Sequence, residues 1–138
     1  MRNISVAITV DDKMGLAFNK RRQSRDRKLI EDLVKKTQGA IYVSDYSLPL
    51  FEGYEDKISV VEDPIRDCPD GACCFIEMTH IGPYLDEIGE LIVYGWNRLY
   101  PSDKKLDINI DDVGFKMTAK YEFVGSSHDK ITKGIYKK

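Results

Sequence analysis

Arg21, Arg22, Arg25 and Arg27 fall within seven positions, interrupted only by Gln23, Ser24 and Asp26, directly ahead of a segment with helical spacing. Guanidinium forks and a helix N-terminus both favour negative charge, so this loop is a candidate site for a phosphate or carboxylate. The competing reading is a solvated basic loop whose arginines pair with the acidic stretch 51–70, and Asp26 inside the run favours such pairing. Trp96-Asn97-Arg98 forms a second constellation, a ring, an amide and a fork of donors just past an apolar strand, at the end where α/β sheets carry their sites. The alternative there is a Trp packed over a sheet edge and an Arg paired with a carboxylate. Arg21, Arg22, Gln23, Ser24, Arg25, Trp96, Asn97 and Arg98 are therefore the expected ligand-binding residues. The expected ligand is a small anionic or nucleotide-like molecule.

Other reactive residue types point less sharply. Ser126, Ser127, His128 and Asp129 include the types used in nucleophilic catalysis, but neighbours in an extended turn diverge, and Gly125 with the two serines reads first as turn chemistry. Asp11-Asp12 could hold one ion only if the strand before them has ended, because successive strand residues face opposite ways. Cys68, Cys73 and Cys74 lack the paired Cys-x-x-Cys spacing of a zinc site. No metal, no cofactor and no catalytic residue is assigned on this basis, and an enzyme is left open.

The elements that must position these residues follow from periodicity. Ile4, Val6, Ile8 and Val10 alternate with Ser5, Ala7 and Thr9, which predicts a strand ending at Asp11-Asp12. Leu29, Ile30, Leu33 and Val34 recur at helical spacing, and opposite charges stand four apart at Arg27/Glu31, Lys28/Asp32, Glu31/Lys35 and Asp32/Lys36. These predict a helix over 24–37 with Ser24 as N-cap, followed by a strand at 40–43. Short strands are expected at 57–61, 73–78 and 91–94, with a helical turn opened by Pro83. Phe115, Met117, Ala119, Tyr121 and Phe123 alternate with polar residues, predicting a strand with that apolar set buried, paired through Gly125-Ser126-Ser127 to a last strand near 131–136.

The 138 residues are 42% apolar with 21 basic and 23 acidic side chains, enough for one domain, 1–138, with its own core. A formal charge of −2 argues against a general nucleic-acid binder, and no apolar run is long enough to span a bilayer. The alternation of 2–10 is expected of a strand rather than of a secretion signal, and three clustered cysteines fit a reducing cytoplasm. Charge is uneven: 20–36 holds eight basic against three acidic residues, and 51–70 seven acidic against two basic.

Element order and local motifs over nearly the whole chain resemble the dihydrofolate reductase fold. The resemblance rests on a first strand leading into a loop with Asp11, Gly15 and Asn19, a helix closed by Thr37, hydroxyl residues at Ser44-Asp45-Tyr46-Ser47, the run Ile92–Pro101 and the closing hairpin 115–136. It implies an α/β fold with a mixed, mostly parallel sheet flanked by helices and closed by an antiparallel C-terminal hairpin. It also places a ligand cleft near Trp96. Departures fall where the family's chemistry lies: Lys20 to Arg25 replaces a Leu-Pro-Trp approach, Asp26 stands early for the acidic residue that contacts the pterin, Trp96 follows Gly95 in place of a glycine pair, and Asp45 would repel a cofactor phosphate. They imply a relative that binds a ligand without reducing folate; a divergent nicotinamide-dependent reductase and a protein-interaction domain are the alternatives. Arg21–Arg27, Trp96–Arg98 and the stretch 125–132 are also similar to short bacterial proteins described as ribonuclease Z. The His-x-His-x-Asp-His zinc cluster of those nucleases has no counterpart, since His80 and His128 stand far apart.

Overall fold

The computed structural model describes residues 2–138. In chain order the elements are β1 (Ile4–Val10), β2 (Gly15–Phe18), β3 (Arg21–Arg22), α1 (Arg27–Lys36), β4 (Ile41–Val43), β5 (Ile58–Val60), β6 (Cys73–Ile76), β7 (Ile88–Gly95), β8 (Lys104–Lys105), β9 (Lys116–Phe123) and β10 (Ile131–Lys137). Seven strands form one sheet in the order β5-β4-β6-β1-β7-β10-β9, and a small antiparallel sheet, β3-β2-β8, lies beside it. The strands from β5 to β7 are parallel, while β10 runs antiparallel to both β7 and β9. The chain is thus α/β with a mostly parallel sheet and an antiparallel closing hairpin.

β1 sits in the centre because both its faces are apolar. Ile4, Val6, Ile8 and Val10 point into one core with Ile65, Ile76, Leu91 and Phe115; Ala7 points into the other, where Leu29, Ile30, Leu33 and Val34 of α1 meet Phe51, Phe75 and Tyr94. α1 is the one α-helix among the described residues, and it begins later than its periodicity predicts. Its N-cap is Asp26, whose carboxylate accepts from the Lys28 and Leu29 amides, and not Ser24. Thr37 closes it, donating through Oγ1 to the Leu33 carbonyl. Glu31–Lys35 forms as spaced, at 2.7 Å, whereas Asp32 turns inward to accept from Tyr94 Oη at 2.6 Å and Lys133 Nζ at 2.8 Å, fastening α1 to β7 and β10. The core on the face away from α1, around Ile4, Val6, Ile8 and Val10, is roofed by loops and the 3-10 turn Gly82–Glu87 that Pro83 opens.

β9 corrects one expectation. Phe115 is buried, but Met117 and Tyr121 are 48% and 54% exposed, and Ala119 and Phe123 are only half-buried. The alternation is real but β9 is the sheet edge, so of its apolar side only Phe123 reaches the core that α1 covers. Residues 19 and 20 hold another difference. Asn19 and Lys20 both have positive φ and join β2 to β3 as a two-residue hairpin turn, a geometry that Asn tolerates better than most residues. Two strands so short leave no period to read.

Replacing Leu33 by Ala should cost about 2–5 kcal/mol, since it leaves a cavity in a closed core. Replacing Tyr121 by Ser should cost less than roughly 1 kcal/mol. Urea unfolding monitored at Trp96 measures both, and equal losses would contradict the assignment of β9 as an uncovered edge.

Candidate functional site

The chain leaves β1 in the middle of the sheet and crosses through α1 to β4 on one side, while β7 lies on the other. Such a divergence opens a crevice at the carboxyl ends of the strands. Asp11 follows β1, Glu77 follows β6 and Trp96 follows β7, so three of the residues at this rim come from adjacent strand ends. The N-terminus of α1 and the turn 125–128 close over them.

Asp26 and His128 form the centre of this rim. Asp26 Oδ1 accepts from the Lys28 and Leu29 amides and from the amide and hydroxyl of Ser126; Oδ2 accepts from the Ser127 amide at 2.8 Å and lies 3.0 Å from His128 Nδ1. Burial pushes the Asp26 carboxyl up, but the Ser126 and Ser127 amides, His128 and the Lys28 amide outweigh it and hold the group well below the usual carboxylate range. An ionised Asp26 requires Nδ1 to carry a proton, so Nδ1 donates. The other ring nitrogen, Nε2, faces two hydroxyls, Ser24 Oγ at 3.1 Å and Tyr100 Oη at 3.0 Å. Trp96 stacks on the imidazole with centroids 4.6 Å apart and planes 24° apart. A β-carbon at Gly125 would collide with the Asp26 carboxylate, so the turn can approach this closely only with glycine there.

Two further carboxylates are structural knots. Asp11 accepts from the Lys13 and Gly15 amides at 2.9 and 2.7 Å and from Gln23 Nε2 at 3.0 Å, which ties the loop after β1 to the arginine segment. Burial raises its carboxyl, the Gly15, Lys13, Gln23 and Tyr100 donors lower it, and the net is a depressed pKa. Buried Glu77 receives both arms of Arg22, at 2.7 and 3.2 Å, and the Ser47 hydroxyl at 2.7 Å. Arg22 also lies over the Tyr46 ring, 4.4 Å from its centroid, and donates to the Tyr46 carbonyl.

The residues picked from sequence therefore divide. Arg22 and Gln23 are engaged by Glu77 and Asp11, and Ser24 by His128. Trp96 is buried under the rim, and Asn97, at positive φ, donates to the Lys130 carbonyl and Thr132 Oγ1. Arg21 and Arg98 are exposed outside the crevice. Arg25 is exposed and forms no ion pair among the described residues. With Arg27, which lies 5.4 Å from the Tyr54 ring centroid, Arg25 lines a cavity of about 530 Å³ between the start of α1 and the segment Pro49–Gly53. A separate recess of about 10 Å³, walled by Thr9, Ser24, Phe75, Glu77 and Trp96, shares Arg25, Asp26, Ile30 and Leu50 with this cavity. The acidic stretch 51–70 supplies no ion-pair partner to Arg21, Arg22, Arg25 or Arg27 among the described residues; its Asp67 and Glu62 pair with Arg66 instead. The buried thiols of Cys68, Cys73 and Cys74 are free, and no group of three metal-ligating side chains occurs among the described residues.

Compared with solved structures, the chain is similar to a dihydrofolate reductase from Enterococcus faecalis complexed with NADP(H) and RAB-propyl, with a TM-score of 0.66 at 10% identity over 97% of this chain and 95% of that one. The fold is dihydrofolate reductase-like. No family model matches the sequence, and no curated protein matches it. No helix among the described residues is long and apolar enough to cross a membrane.

Asp26, His128, Glu77 and Tyr100 were not picked out as a site from the sequence. Asp26 and His128 were each noticed beside the wrong neighbours, because the bond between them spans 102 positions. Since the folded Asp26 carboxyl is depressed, its contribution to stability is complete above the ordinary carboxylate pKa near 4 and is lost as pH falls through the folded value. Asp26→Asn should lower stability at neutral pH and flatten its decline between about pH 4 and 2, read by chemical unfolding across that range.

Proposed function

We propose that this chain binds a small anionic ligand of the carboxylate or phosphate class, a nucleotide-like molecule included, in the cleft between the N-terminus of α1 and Pro49–Gly53. The observation that carries this reading is Arg25, a guanidinium left without a carboxylate partner at the mouth of a 530 Å³ cavity that Arg27 also lines. Ile30, Pro49 and Leu50 supply an apolar wall for the rest of the ligand. Of the eight residues expected from sequence, Arg25 takes the anion, Ser24 and Trp96 wall the small recess, and Arg22, Gln23 and Asn97 support the site through their protein partners. Arg21 and Arg98 stand at the surface, where they add favourable potential and no direct contact.

Folate reduction is disfavoured by the same geometry. The Enterococcus enzyme is described with NADP(H), but here the small recess holds about 10 Å³, room for one water and not for a ring. Asp45, exposed after β4, would repel a cofactor phosphate brought near it.

Inorganic pyrophosphate and a nucleoside monophosphate, titrated calorimetrically, are expected to bind, with Arg25→Ala weakening them about tenfold at unchanged stability. Arg22→Ala should instead destabilise the fold by roughly 3 kcal/mol, because it strands Glu77 in the interior. NADPH should neither raise the melting temperature nor quench Trp96; NADPH-dependent reduction of dihydrofolate would overturn the reading in favour of a divergent reductase.

A further inference from the structure

Ser24, His128 and Asp26 form a continuous chain of hydrogen bonds, 3.1 Å from Ser24 Oγ to Nε2 and 3.0 Å from Nδ1 to Asp26 Oδ2. We propose that Ser24 is an acyl-accepting nucleophile, with His128 as its general base and Asp26 as the residue that orients the base, acting on a short-chain acyl ester whose alcohol portion carries the negative charge.

Four features favour this over a purely structural role. First, an imidazole that donates from Nδ1 to Asp26 presents Nε2 to the hydroxyls of Ser24 and Tyr100, the arrangement that proton abstraction from Ser24 requires. Second, the ring cannot rotate: Trp96 stacks on one face, and Tyr100 meets it edge-on with centroids 6.5 Å apart. Third, Ser24 is not needed as a helix cap, because Asp26 fills that position. Fourth, Ser24 lines a small recess that shares four of its wall residues, Arg25, Asp26, Ile30 and Leu50, with the larger cleft. Tyr100 Oη shares Nε2 and keeps the imidazole in place, a positioning residue.

In the reaction His128 Nε2 takes the Ser24 Oγ proton as Oγ bonds to the acyl carbon. The C–O bond to the alcohol then breaks, and Nε2 returns the proton to the leaving oxygen. Water attacks the acyl-serine, giving its proton to Nε2, and Ser24 is released with the proton restored and the acid as product. The Arg25 amide, next in the chain after the nucleophile, makes no hydrogen bond among the described residues and is free to donate to the developing oxyanion. The 10 Å³ recess has room for no more than the methyl of an acetyl group, which limits the substrate to an acetyl ester, and Arg25 and Arg27 hold the anionic alcohol outside it. This preference for charge rests on the ligand reading above; the nucleophile does not.

The test uses p-nitrophenyl acetate, neutral, and 4-acetoxybenzoate, anionic, with the modified residue mapped by peptide mass spectrometry. Acetyl on Ser24 is expected, and Ser24→Ala and His128→Asn should each lower the acylation rate at least 100-fold. Ser24→Cys guards against misfolding of the Ala variant: its thiol should react with iodoacetamide at least tenfold faster than an unstructured cysteine. An unmodified Ser24, a Ser24→Ala rate equal to wild type, or an unactivated thiol at 24 would overturn the proposal. Arg25→Ala should slow the anionic ester about tenfold and spare the neutral one. Acylation of Ser24 without that difference would sink the charge preference and the ligand reading alone, and anion binding without acylation would sink the nucleophile alone.

Discussion

Asp26 is a carboxylate removed almost completely from solvent, and burying such a charge costs several kcal/mol unless its lone pairs are filled. Here they are filled by donors from two separate parts of the chain, the first turn of α1 and the turn 125–128. The start of the helix, the approach to β10 and the orientation of His128 are therefore one electrostatic solution. Trp96 and Tyr100 add the loop after β7, since both rest on the imidazole that Asp26 holds. Without the carboxylate, three segments lose their common anchor, and the rim of the crevice loses its shape.

The same rule sorts the positive charges. Arg22 is satisfied by Glu77, whose own burial is made tolerable by that ion pair and by Ser47, so this guanidinium is a structural cross-link between the small sheet and β6. Arg25, three residues on, has no such partner and faces open volume. Two arginines in one short run thus have opposite surroundings, decided by whether a buried carboxylate stands opposite each and not by any property of the run.

What could be read from the residues alone follows from range. β1, α1, β4 and the closing hairpin rest on periods contained within a few residues, and each stands close to its expected place. The cap of α1 was misplaced by two residues because Ser24 and Asp26 are both good capping types; the choice between them is made by Ser126 and Ser127, far along the chain. Likewise the sequence offers the whole basic run as a candidate anion site and carries no sign that Glu77 would claim Arg22. Ser126 to Asp129 offered the residue types of a relay side by side, whereas the hydrogen-bonded chain that forms takes one of them, His128, and finds its partners at 24 and 26. Burial of β9 failed for a related reason, since alternation reports which side could face a core and not whether a neighbour arrives to make one.

The distance along the chain between Asp26 and its donors also bears on how the molecule is made. A ribosome delivers α1 and the first four parallel strands well before the turn 125–128, 100 positions after Asp26. Until that turn emerges the helix has only its local cap, and the open side of β7 lacks β10. Because contacts this far apart form late and slowly, the crevice is assembled as one of the last acts of folding. Until the turn 125–128 has been synthesised, a nascent chain therefore lacks the donors that shape the rim of this crevice.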